Sequence, residues 1–83
     1  MADKNTIEDR LINEVALILS QDPSGIKPDI PLHELGLDSL SFVEILVFIE
    51  KAFGFKLMES GLKREDFRTV RSLSSYISRL QNR

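Results

Sequence analysis

Gly36-Leu37-Asp38-Ser39-Leu40 runs into Ser41-Phe42-Val43-Glu44-Ile45-Leu46-Val47-Phe48-Ile49-Glu50-Lys51-Ala52-Phe53, and the fold follows from how this stretch is read. At about 100° per residue, Phe42, Ile45, Leu46, Ile49 and Phe53 fall on one arc, the signature of a helix with a core-facing side. Asp and Ser at its start are preferred N-caps, because a side-chain oxygen there accepts a hydrogen bond from an N–H that the first turn leaves unpaired. Gly54 is placed to stop the helix after Phe53. On the opposite arc Leu40, Val43 and Val47 are interspersed with Glu44, Glu50 and Lys51, and Ser39 lies on this side. Two readings of that arc stand on the residues alone: scattered surface apolar side chains, which are ordinary, or a surface on which another protein docks. Ser39 likewise is either a helix cap and nothing more, or a hydroxyl displayed for chemistry.

Outward from this helix, the flanks read as helical too. Thr6-Ile7-Glu8-Asp9 resembles a capping box and predicts a first helix starting near Thr6. Ile7, Leu11, Val15 and Ile18, joined by Ile12 and Leu19, give it a wide apolar face, and it should end around Ser20, ahead of the turn residues Asp22-Pro23-Ser24-Gly25. The connection from Gln21 to Asp38 holds three prolines and two glycines. Irregular loops beyond about 12 to 15 residues are uncommon in compact domains, so this one should be tied down or functional. Ile26, Ile30, Leu32, Leu35 and Leu37 are the candidate anchors, Pro31–Leu35 suggests a short helical turn, and His33 should face solvent or cap it. Beyond Gly54, a turn is expected at Glu59-Ser60-Gly61 and a brief helical turn over Arg64–Phe67 with Phe67 inward. Thr69 then caps a last helix carrying Val70, Leu73, Ile77 and Leu80, with Tyr76 beside the stripe. The expected fold is all-α: a small four-helix bundle with three main helices, a short third helix and a long loop between helices one and two. Residues 1–83 should form one domain.

Composition removes several function classes. The chain has 83 residues and no cysteine, which excludes disulfides and Cys-based zinc sites. Its one histidine argues against a His-rich metal centre or a Ser-His-Asp constellation, so no enzyme is expected. No apolar run approaches the roughly 20 residues of a membrane span, and Met1-Ala2-Asp3-Lys4 lacks the apolar core of a signal peptide. The expectation is a cytoplasmic monomer without membrane insertion. The formal charge of −2 conceals an asymmetry: residues 1–55 carry ten acids against four bases, and residues 56–83 carry seven bases against three acids. The half containing Ser39 should therefore attract basic partners. Because the bases of the last third follow an amphipathic pattern without interleaved aromatics, nucleic acid is not an expected partner.

As a set, these residues resemble an acyl carrier protein. The resemblance rests on Thr6-Ile7-Glu8-Asp9-Arg10-Leu11, on Leu35-Gly36-Leu37-Asp38-Ser39-Leu40 with Val43-Glu44 one turn later, and on Ile49-Glu50-Lys51-Ala52-Phe53-Gly54. It continues through Phe67-Arg68-Thr69-Val70 into Ser72-Leu73 and Tyr76-Ile77. It implies that Ser39 is esterified with 4'-phosphopantetheine by a phosphopantetheinyl transferase, and that Asp38 belongs to the modification motif. It also implies that acyl groups ride as thioesters between acyl-loading and acyl-transferring or condensing enzymes of fatty-acid, polyketide or related specialised synthesis. Leu40, Val43 and Val47, with Glu44 and Glu50, match the family's partner-docking surface. An aminoacyl or peptidyl carrier differs mainly in cargo, and an unmodified helical protein-binding module is the alternative outside the class. Ser41 and Lys51 stand where carriers of fatty-acid synthesis usually have acids. Phe42 replaces what is often a small polar residue near the acyl pocket.

Overall fold

A computed structural model describes residues 4–81. Three α-helices carry the fold, α1 (Lys4–Leu19), α2 (Ser39–Phe53) and α3 (Val70–Gln81). Short 3-10 turns punctuate the connections at Pro23–Gly25, Leu32–Leu35, Leu57–Glu59 and Arg64–Phe67. The last of these occupies the place expected for the short third helix, so that element is one tight turn. No strand occurs among the described residues, only an isolated antiparallel bridge between Pro31 and Thr69.

The first helix already includes Lys4 and Asn5, ahead of the start its sequence suggests, so Thr6 lies inside the helix. A hydroxyl residue can cap a helix but does not by itself halt one. At the other end Ser20 adopts φ 56°, and the Gln21 N–H bonds the Ala16 carbonyl at 2.9 Å, closing α1 through a left-handed residue that is not glycine. Asp38 starts α2 from an extended conformation, with its carboxylate on the Ser41 N–H, and Gly54 ends it at φ 80° with its N–H on the Glu50 carbonyl. Thr69 and Ser72 start α3 reciprocally: the Ser72 N–H bonds Thr69 Oγ1 and the Thr69 N–H bonds Ser72 Oγ, each at 3.0 Å.

The apolar faces meet as their spacing dictates. Ile7, Leu11 and Val15 of α1, Ile45 and Ile49 of α2, and Val70, Leu73 and Ile77 of α3 are buried together, and α1 makes its broadest contact with α3. The long connection is tied down at both levels. Ile26, Leu32 and Leu37 insert into the core, with Leu35 packed against it. The Leu32 N–H bonds the Arg68 carbonyl at 2.8 Å, and the Arg71 N–H bonds the Pro28 carbonyl at 3.1 Å. Arg71 adds ion pairs to Asp29 at 2.6 Å and to Glu8 at 3.7 Å, linking α3, the loop and α1. The turn at Leu57–Glu59 is held by Tyr76, whose hydroxyl donates to the Ser60 carbonyl at 3.0 Å and lies 2.7 Å from Ser60 Oγ. Tyr76 therefore braces a loop against α3.

Candidate functional site

Ser39 is the first residue of α2 and is exposed; its hydroxyl bonds no other group among the described residues. Its position follows from its neighbours. Gly36 adopts φ 99°, a left-handed conformation that reverses the chain after the Leu32–Leu35 turn, and Leu37 then anchors in the core. Asp38 caps, and Ser39 follows on the outside of the helix start. Asp38 Oδ1 accepts the Ser41 N–H at 2.8 Å, and this bond holds the Asp38 carboxyl below its ordinary range because the charged form is the better acceptor. The capping role is thus observed directly, and Asp38 and Ser39 are both exposed at the helix start.

From Ser39 an apolar stripe descends the exposed side of α2. Leu40 is 68% exposed, Val43 54% and Val47 43%, large values for side chains whose burial is worth roughly 1.5–3 kcal/mol each. Glu44 and Glu50 are exposed on the same side. A groove of about 400 Å³ between α2 and the Leu57–Glu59 turn continues the stripe, lined by Val43, Val47 and Glu50 together with Leu46 and Leu57. The residues singled out in the sequence are therefore brought onto one surface that begins at the serine.

The structure adds features that the sequence pattern did not single out. Phe42, half-buried, meets Phe67 edge-to-face with ring centroids 5.6 Å apart. This pair separates two spaces: an apolar pocket of about 240 Å³ completed by Leu46 and Leu62, and an open groove of about 500 Å³ lined also by His33, Arg64, Glu65 and Arg68. The inward Phe67 was legible; its pairing with Phe42 and the convergence of His33 with Arg64 and Arg68 were not, the latter because it depends on the loop pairing at Leu32 and Arg68. Leu17, 74% exposed on α1, lines a shallow depression with Phe48 and lies off the 7-11-15-18 stripe, the only hint available in the sequence.

Comparison with known proteins agrees with this arrangement. The family described as "Phosphopantetheine attachment site" matches residues 9–77. The chain is 37% identical to the D-alanyl carrier protein of Streptococcus uberis, over 93% of this chain and 98% of that protein. It is 36% identical to the acyl carrier protein of Onion yellows phytoplasma, over 78% of this chain and 84% of that protein. It is also 36% identical to the mitochondrial acyl carrier protein 2 of Arabidopsis thaliana, over 70% of this chain and 47% of that protein.

Proposed function

The chain belongs to the phosphopantetheine attachment site family, and from that premise we propose that Ser39 carries its 4'-phosphopantetheine arm. The observation that supports this most is an exposed, unbonded hydroxyl at the first residue of α2. The local structure fits a phosphodiester there. The N–H groups of the first helical turn and the positive end of the helix dipole favour an anion, typically by 0.3–1 kcal/mol at an exposed site. The Ser41 N–H is bonded by the neighbouring carboxylate. Asp38, exposed next to Ser39, offers a carboxylate suited to a magnesium ion carried by the modifying transferase.

The arm supplies a terminal thiol on which an acyl group is held as a thioester. The protein's own residues do three things around it: Ser39 anchors, Asp38 fixes the helix start, and the Leu40, Val43 and Val47 stripe offers partner enzymes an apolar contact. Glu44 and Glu50 add negative charge that steers basic partner surfaces toward the stripe. Bond making and breaking belong to those partners, namely the transferase and the acyl-loading, acyl-transferring or condensing enzymes. Tethering raises the effective concentration of cargo at each of their active sites. In this reading residues 1–83 act as one monomeric carrier unit in the cytoplasm. Among the described residues no helix is long and apolar enough to cross a membrane.

The main reading is an acyl carrier. Similarity to a D-alanyl carrier protein favours a second one, an aminoacyl cargo on the same arm. Incubation of the unmodified protein with coenzyme A, magnesium and a broad-specificity phosphopantetheinyl transferase tests the carrier reading. Intact mass should rise by one phosphopantetheine, and an unchanged mass with several transferases overturns it.

A further inference from the structure

We propose that the cargo on this arm ends in a carboxylate, which Arg64 and Arg68 receive in the groove beside Phe42 and Phe67. The proposal rests on Ser39 as the attachment point. Ser39 lies at the edge of the exposed arc of α2 and Phe42, three residues on, at the adjoining edge of the core arc, so the two stand about one helical turn apart. The groove lined by Phe42 thus opens within one helical turn of the arm's anchor.

Its lining is divided by chemistry. The rings of Phe42 and Phe67 offer apolar surface to methylene groups, while Arg64 and Arg68 offer planar guanidinium forks that match a carboxylate in bidentate fashion. The other described arginines are already engaged. Arg71 pairs with Asp29 and Glu8, Arg79 pairs with Asp66, and Arg10 lies 4.6 Å over the ring of Phe53. Arg64 and Arg68 are exposed and form no ion pair among the described residues. Glu65 is the one acid lining the groove, outnumbered by the two guanidiniums. An ammonium-ended cargo meets net positive charge there, and a neutral alkyl cargo leaves both guanidiniums idle. An exposed ion pair is weak when its partners diffuse freely. A tethered carboxylate is presented at high effective concentration, so even a weak contact is populated.

Four loaded forms test this: the unmodified protein treated with transferase and coenzyme A, succinyl-coenzyme A, butyryl-coenzyme A or β-alanyl-coenzyme A, with loading checked by mass. The readout is NMR of the Arg64 and Arg68 Nε–H groups and of the Phe42 and Phe67 ring protons. The succinyl form should shift both arginine signals severalfold more than the bare arm does. In the parent that difference should shrink in high salt, and in the Arg64→Gln/Arg68→Gln double variant, read on the Phe42 and Phe67 ring protons, the succinyl form should become indistinguishable from the butyryl form. The butyryl form should move only ring signals, and the β-alanyl form should leave the arginines where the bare arm leaves them. Equal arginine shifts in the succinyl and butyryl forms overturn the proposal. So does a full shift produced by the bare arm, which would assign the anion to the phosphodiester. A mass that never rises removes the attachment reading and this inference with it, whereas successful loading with indistinguishable spectra removes this inference alone.

Discussion

Asp38 Oδ1 accepts the Ser41 N–H at 2.8 Å, so the carboxylate that starts α2 reaches past Ser39 and leaves that hydroxyl unbonded between cap and capped residue. The bond lowers the Asp38 pKa from its ordinary 3.8. A carboxyl whose folded pKa is depressed contributes stability that is fully present above the unfolded value and lost as pH falls through the folded one. The cap should therefore be intact at neutral pH and weaken only in acid, below 3.8. An NMR titration should place the Asp38 midpoint below 3.8, with the Ser41 amide following the same curve. Asp38→Asn should keep the cap and remove that pH step; a midpoint at or above the ordinary value would contradict this.

Two helix ends use the left-handed conformation with different residues, Ser20 at φ 56° and Gly54 at φ 80°. Only glycine adopts it without a Cβ penalty of about 1–2 kcal/mol. Ser20→Gly should raise unfolding stability by about 0.5–1 kcal/mol, the greater freedom of glycine in the unfolded chain offsetting part of the relief. Gly54→Ala should lower it by about 1 kcal/mol. Chemical denaturation of both variants measures the pair, and opposite signs are the expected result.

Ser74 is fully buried in α3, and its hydroxyl has no hydrogen-bond partner among the described residues. A buried hydroxyl left unsatisfied costs about 1–3 kcal/mol. Ser74→Ala should therefore be neutral or stabilise by about 1 kcal/mol, a sign unusual for a core substitution. A clear loss in the denaturation midpoint would mean that the hydroxyl is satisfied in solution.

The helix signals that succeeded were local ones. Asp38 with the α2 periodicity, Gly54 at its end and Thr69 at the start of α3 carry their information within four residues, and each was legible. The loop anchors Ile26, Leu32 and Leu37 were legible as apolar residues in an otherwise polar connection. What failed was either a boundary or a long-range convergence. Thr6 looked like a cap because the box pattern does not record whether the chain before it is already helical. The groove containing Arg64 and Arg68 exists because Leu32 pairs with the backbone of Arg68 and brings His33 alongside. No periodicity within either segment encodes that pairing.

The stripe on α2 makes its own prediction. Glu44 is exposed beside Val43 and makes no ion pair among the described residues, so its charge is available to a partner and contributes little to the fold. Glu44→Lys should leave thermal stability within about 0.5 kcal/mol of the parent. It should also slow association with the transferase at low ionic strength, an effect that fades as salt screens it. Unchanged association kinetics at low salt would count against this surface.

The central claim is that one particular hydroxyl bears the arm, and Ser41, two residues on and half-buried with its N–H on Asp38, is the natural control. The most direct measurement is transferase loading of the parent, Ser39→Ala and Ser41→Ala proteins, followed by fragmentation mass spectrometry of the peptide spanning both serines. The expected result is one phosphopantetheine on Ser39 in the parent and in Ser41→Ala, and none in Ser39→Ala. Loading that persists in Ser39→Ala, or that maps to any other residue, would contradict it.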